Sequence, residues 1–79
     1  MLSDLELLNK AEENLEWFKE NFSKIQERYP GKVIAIKDKK IIDSTKNSQQ
    51  LLESLKNKRI DDSEVIIERI SPKGEIRIL

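Results

Sequence analysis

Leu8, Ala11, Leu15, Phe18, Phe22, Ile25 and Tyr29 recur at spacings of three and four in alternation, with polar residues filling most of the gaps. That spacing draws one apolar stripe down a helix. It predicts a helix from about Asp4 to Arg28, roughly 37 Å long at 1.5 Å per residue. The start is marked by Ser3 and by Glu6 three residues on, a capping box, with Leu2 and Leu7 placed for a hydrophobic staple. So long a helix outruns a small domain, so it is expected to project at its N-terminal turns or to bend near Asn9 or Asn14. Tyr29-Pro30-Gly31-Lys32 ends it, with Pro second and Gly third, as a type II turn prefers. Phe18, Phe22 and Ile25 are expected to be buried against whatever the helix covers.

Beyond Gly31 the period changes. Lys32–Lys37 and Lys40–Asp43 read as strands joined at Asp38-Lys39, a short hairpin connection. Ser44 to Ser48 is polar. Asn47 with Gln50 forms a second capping box, and Leu51, Leu52 and Leu55 follow, so a helix is expected over about Ser48–Lys58, its basic end suiting the helix dipole. Asp61-Asp62-Ser63 reads as a loop and Glu64–Ile70 as a third strand. Ser71-Pro72-Lys73-Gly74 reads as a turn and Glu75–Leu79 as a fourth strand. The order is α-β-β-α-β-β. The expected architecture is one α+β domain over residues 1–79. Its mainly antiparallel four-stranded sheet packs on one face against a long N-terminal helix and a shorter second helix.

Trp17-Phe18, then Tyr29-Pro30-Gly31-Lys32-Val33-Ile34-Ala35-Ile36, a hairpin, a leucine-bearing helix and a terminal strand pair resemble a family of short prokaryotic domains of unknown function. That family carries a Tyr-Pro-Gly-Lys-x-Val/Ile-Ala-Ile core, and the resemblance runs from about Trp17 to Ile70. The family often has Asp-Gly in the hairpin turn where this chain has Asp38-Lys39. The resemblance implies the fold and brings no activity with it.

Composition removes whole classes of chemistry. The 79 residues contain no cysteine and no histidine. A thiolate zinc site, a disulfide framework, a thiol nucleophile and an imidazole base are therefore excluded. Two glycines, Gly31 and Gly74, cannot build a glycine-rich phosphate loop. No apolar run approaches a membrane span, and the acidic start does not read as a signal peptide, which makes the cytoplasm the expected location. Eleven Ile and nine Leu beside eleven Lys and ten Glu suit a thermophile and equally an AT-rich genome.

The remaining chemistry rests on carboxylates and charge. Asp61, Asp62 and Glu64 lie close together, but neighbours in sequence point apart and no second cluster adds ligands. They read as a solvated loop. Seven serines and Thr45 lack an evident base. No catalytic residue, metal site or cofactor is expected. Lys32, Lys37, Lys39, Lys40 and Lys46 face only Asp38 and Asp43 between residues 32 and 46, so the hairpin is basic although the chain is neutral. These lysines are candidate phosphate contacts. The segment holds no arginine to read a base edge and no aromatic residue for a base to stack on. Lysines on a hairpin also discourage edge-to-edge aggregation. Trp17 lies beside the stripe, either at the rim of the core or as an exposed anchor, and the core reading fits a small domain better.

Both faces of the first and third strands are apolar: Val33, Ala35, Val65 and Ile67 on one, Ile34, Ile36, Ile66 and Ile70 on the other. With both helices on a single face, the second face would lie open, and Ile34, Ile36, Ile66 and Ile70 are the candidate self-association face. Helices on opposite faces would instead bury everything in one chain. The stripe of the first helix is a further candidate seam. The expected function is a small non-enzymatic interaction module that binds itself, most simply as a homodimer, or a protein partner, in an antitoxin-like or regulatory accessory role. The alternative is a weak nucleic-acid binder through the lysine hairpin.

Overall fold

A computed structural model describes residues 2–72 of the chain. The fourth strand expected at Glu75–Leu79, and the end of the turn before it, lie outside the described residues. The described elements are α1 (Asp4–Glu20), α2 (Phe22–Arg28), β1 (Val33–Lys37), β2 (Lys40–Thr45), α3 (Ser48–Asn57) and β3 (Ile66–Arg69), with a single 3-10 turn at Asp62–Glu64 before β3. The class is α+β. Among the described residues, a three-stranded antiparallel sheet and three helices stand in place of the expected four-stranded sheet and unbroken long helix.

The break falls at Asn21, not at Asn9 or Asn14. The Asn21 side-chain amide donates to the Trp17 carbonyl at 2.9 Å, and the Asn21 backbone N–H donates to the same oxygen at 3.1 Å. A short polar side chain that bonds locally to the backbone competes with the helical ladder. At Asn21 the side chain shares the Trp17 carbonyl with the ladder bond, and the residue leaves helical geometry at φ −108°, ψ 11°. The N-terminal signal was sound. The Ser3 hydroxyl accepts from the Glu6 N–H at 3.2 Å and donates to the Glu6 carboxylate at 3.1 Å.

The turn after α2 has the geometry its sequence demands. Gly31 lies at φ +72° and the Lys32 N–H donates to the Tyr29 carbonyl at 3.2 Å, closing a type II turn. The Gly31 N–H then reaches the Ile70 carbonyl, and the Ile70 N–H reaches the Lys32 carbonyl, both at 2.8 Å. The turn thus fixes the entry to β1 and the exit from β3 together. At the far end of β1, Asp38 and Lys39 both have positive φ, 51° and 60°. That is a two-residue type I′ hairpin, whose twist matches the flanking strands.

Strand order is β2-β1-β3, with β1 paired antiparallel on both sides. The register of β1 on β2 shifts between Ala35 and Ile36, so that Ala35 faces Asp43, Ile36 faces Ile41, and Ile42 is the extra residue of a β-bulge. β2 and β3 flank β1, and α3 carries the chain from one to the other across the face that holds Val33 and Ala35.

The helices therefore lie on opposite faces, which corrects the expectation of an open face. Ile34, Ile36 and Ile70 are fully buried beneath Phe18 and Ile25 of the α1–α2 layer, with Ile66 partly buried beside them. Val33 and Ala35 are sealed by Leu51 and Leu55 of α3, with Ile42, Ile60, Val65 and Ile67 around them. Each large side chain buried in full stabilises by about 1.5–3 kcal/mol. Phe22, expected in the core, stands at its rim, 36% exposed and edge-on to Phe18 at 5.5 Å between centroids. The third strand is shorter than expected because Asp62–Glu64 takes the 3-10 turn, capped by Asp61.

Candidate functional site

Asn14 of α1 is almost fully buried, and its side-chain oxygen accepts the backbone N–H of Lys39 at 2.8 Å. One turn earlier Lys10 meets the Asp38 carboxylate at 3.5 Å. These two contacts tie the hairpin turn to α1. The result is that Lys39 and Lys40 are held across from the C-terminal part of α1 and from α2.

A groove of about 360 Å³ lies between them. Ile25 and Ile41 form its apolar lining. Trp17 and Tyr29, both half-buried, supply aromatic walls, and Lys24, Arg28, Lys39 and Lys40 supply four cations without a carboxylate among the lining residues. Trp17 packs against the core cluster, as the core reading expects, while one side of it lines the groove. Its other side lines a smaller cleft of about 240 Å³ with Glu13, Glu16, Glu20 and Lys39. The surface around this aromatic residue is therefore bipolar, acidic along α1 and basic along α2 and the hairpin.

The five candidate lysines do not act as one patch. Lys39 and Lys40 join the groove. Lys32 and Lys46 sit at the opposite end of the hairpin, next to the Val33–Thr45 pair. Lys37 lies close enough to Asp61 for its charge to act on that carboxyl. Asp61 is held below its ordinary pKa by hydrogen bonds from the Ser63 amide and hydroxyl first, with the Lys37 charge a smaller cause. Its oxygen Oδ1 is thus the cap of the 3-10 turn. Among the described residues no group of three or more carboxylates gathers where a metal ion would sit.

A constellation that sequence spacing did not single out stands on the α3 face. The bulge in β2 turns Asp43 toward α3, where its Oδ2 accepts from the Ser54 hydroxyl and from Lys58 Nζ at 3.2 Å, while the Ser44 N–H donates to Oδ1 at 2.8 Å. Burial works to raise the Asp43 pKa, but the hydrogen bonds from Ser54, Lys58 and Ser44 outweigh it and hold the carboxyl below its ordinary value. So poised, Asp43 is a poor base. The trio ties α3 to β2 and provides no activated nucleophile. Ser54 and Lys58 lie four apart on one helix face, a spacing visible in sequence; their acid became visible only with the bulge.

Lys24 to Lys73, more than half of the chain, matches the model of a family of unknown function, DUF5678. The chain belongs to that family. The match begins inside α2, so the DUF5678 residues supply Lys24, Arg28, Tyr29, Lys39, Lys40 and Ile41 of the groove, while Trp17 and the rest of α1 lie outside them. Comparison with curated proteins and with solved structures finds no match. No described helix is long and apolar enough to cross a membrane.

Proposed function

We propose that the protein is a small non-enzymatic docking module that takes an acidic segment of a protein partner into the groove between α2 and the β1–β2 hairpin. The observation that carries this reading is the grouping of Trp17, Tyr29 and Arg28 with three lysines around an apolar floor. Trp, Tyr and Arg are the residue types that dominate binding energy at protein interfaces, because they pair large contact area with a polar tip. The cations suit carboxylates at the rim, and Ile25 with Ile41 suits one apolar side chain between them. Glu13, Glu16 and Glu20, just beyond Trp17, would repel a polyanion running past the groove but not a short acidic segment. A regulatory or antitoxin-like accessory role is the biological form such a module takes, acting by occupying its partner.

A second reading has a specific observation behind it. The hairpin itself has no arginine and no aromatic residue, yet the fold brings Arg28, Trp17 and Tyr29 to Lys39 and Lys40. Cations interleaved with aromatic faces bind single-stranded nucleic acid by backbone neutralisation and base stacking. Trp17 is the sole tryptophan, so its emission reports on the groove directly. We expect a ten-residue peptide of glutamates around one central leucine to shift Trp17 emission, with Arg28→Glu and Lys24→Glu each weakening binding about tenfold. A twenty-residue oligothymidylate should bind more weakly than the peptide at matched salt. Tight oligothymidylate binding with a steep salt slope, and no response to the peptide, would replace the first reading with the second.

A further inference from the structure

The other flank of α1 carries an apolar ridge that the fold covers only in part. Leu8 and Leu15 are 55% and 37% exposed, and Phe22 continues their seven-residue spacing at the start of α2. Leu5, more exposed still, extends the ridge toward the N-terminus. Seven-residue spacing keeps side chains on one side of a helix, as a seam between two helices requires. Leu15 and Trp17 are two residues apart, about 200° around the helix, so the ridge and the groove lie on opposite flanks of the layer that covers the sheet.

We infer that this ridge is a homodimer interface in which two α1 helices pair antiparallel about Leu15. The charges beside the ridge specify the partner and its direction. Glu12 and Lys19, both exposed, flank Leu15 on the same side, and neither takes part in an ion pair within the described residues. A parallel pair would place Glu12 and Lys19 of one copy on the side of the seam opposite to those of the other, so the two opposite charges would not meet. An antiparallel pair centred on Leu15 sets Leu15 against Leu15 and Leu8 of each copy against Phe22 of the other. It also brings Glu12 of each copy level, to within one residue, with Lys19 of the other, so the favourable pair forms twice. Ala11, small and half-buried beside the ridge, lets the two backbones approach. The surface is self-complementary, as a two-fold interface must be. It uses no groove residue, so each copy in the dimer keeps its groove open and the assembly is bivalent.

The patch is small, so association is expected to be weak, with a dissociation constant on the order of tens of micromolar. Sedimentation equilibrium on the full chain from about 5 to 500 µM, a range set around that constant, tests it. The wild type should pass from monomer to dimer across this range. Leu15→Glu should remain monomeric with an unchanged circular-dichroism spectrum. Glu12→Lys and Lys19→Glu should each weaken the dimer about tenfold. The double variant, with both charges exchanged, should recover most of the wild-type affinity. Recovery is the decisive readout, since a merely structural role for either residue would not produce it. A monomeric wild type at all concentrations overturns the inference, as does a double variant no better than the singles. A dimer that survives Leu15→Glu and dissociates with Arg28→Glu would assign self-association to the groove instead.

Discussion

The two faces of the sheet are closed in different ways. On one, α3 covers Val33 and Ala35 with Leu51 and Leu55, a helix of ten residues matched to strands of four to six. On the other, α1 and α2 cover Ile34, Ile36 and Ile70 with Phe18 and Ile25, yet α1 alone has 17 residues. At 1.5 Å per residue α1 is about 26 Å long, against about 17 Å for a five-residue strand. The α3 face packs through Leu51 and Leu55, one turn apart, on a helix of about the same length as the strands beneath it. The α1 face has helix to spare, and the surplus carries both the aromatic flank of the groove and the partly covered ridge. Each face also holds a polar tie between helix and sheet: Asp43 with Ser54 and Lys58 on the first, and on the second Asn14 with the Lys39 amide, beside the exposed Lys10–Asp38 pair. The first is charged, with the Asp43 side chain only 13% exposed and Lys58 reaching it from solvent; the Asn14 contact is neutral and buried.

The largest test of this contrast is a pair of leucines. Leu51 of α3 is fully buried, and Leu51→Ala should cost about 2–5 kcal/mol, enough to threaten a small domain. Leu15→Ala on α1, where the side chain is 37% exposed, should cost the monomer less, about 1 kcal/mol. Urea unfolding at low micromolar protein concentration measures both. Equal costs would mean that α1 is sealed to the sheet as tightly as α3.

The polar ties come next. Removing the Asn14 side chain leaves the Lys39 N–H without its partner, and Asn14→Ala should destabilise by about 1–3 kcal/mol. It should also loosen the hairpin, visible as faster hydrogen exchange at Lys39. A stability change below about 0.5 kcal/mol would show that the tie is dispensable. Asp43 behaves differently because it titrates. Its carboxyl is held below the 3.8 of a free aspartate in the folded state. Its stabilisation is therefore present above that value and is lost as pH falls through the lowered folded pKa. Between pH 5 and about pH 2 the wild type should lose thermal stability more steeply than Asp43→Asn. Parallel melting profiles for the two would remove Asp43 from the account of acid stability.

How much of this was legible in the sequence follows the range of the interactions. Caps and turns rest on neighbours in the chain. Ser3 with Glu6, Asn47 with Gln50, and Pro30 with Gly31 stand where spacing placed them, and Asn47 accepts the Gln50 N–H at 2.9 Å. The strand faces were legible too, because alternation has a fixed period. The break at Asn21 was not, since the stripe of Phe18, Phe22 and Ile25 runs through it without a change of spacing. Nothing local says that the two helical layers take opposite faces, and so Ile34, Ile36, Ile66 and Ile70 looked free when the first two and Ile70 are core and Ile66 packs beside them. The groove was half legible. Lys39 and Lys40 stood out as part of a basic hairpin, but Trp17, Lys24, Arg28 and Tyr29 join them only once α1 and α2 pack on the sheet and Asn14, a residue whose burial no periodic pattern announces, holds the hairpin turn.

The smallest effect separates the two faces most cleanly. Lys39 and Arg59 both hold positive φ, 60° and 59°, where glycine is favoured. Lys39 closes the type I′ hairpin on the α1 side. Arg59 ends α3 in a Schellman motif, with the Ile60 N–H on the Leu55 carbonyl at 2.9 Å and the Arg59 N–H on the Lys56 carbonyl at 3.0 Å. Replacing either by glycine removes the steric strain of a side chain in the left-handed region, and each change should stabilise the fold by about 0.5–1 kcal/mol. The two should then part. Lys39→Gly also deletes a groove cation and should weaken peptide binding about threefold, while Arg59→Gly should leave it unchanged. Paired thermal melts and Trp17 titrations read both quantities on the same samples. If Arg59→Gly weakened binding as much as Lys39→Gly, the site would not belong to the α1 face at all.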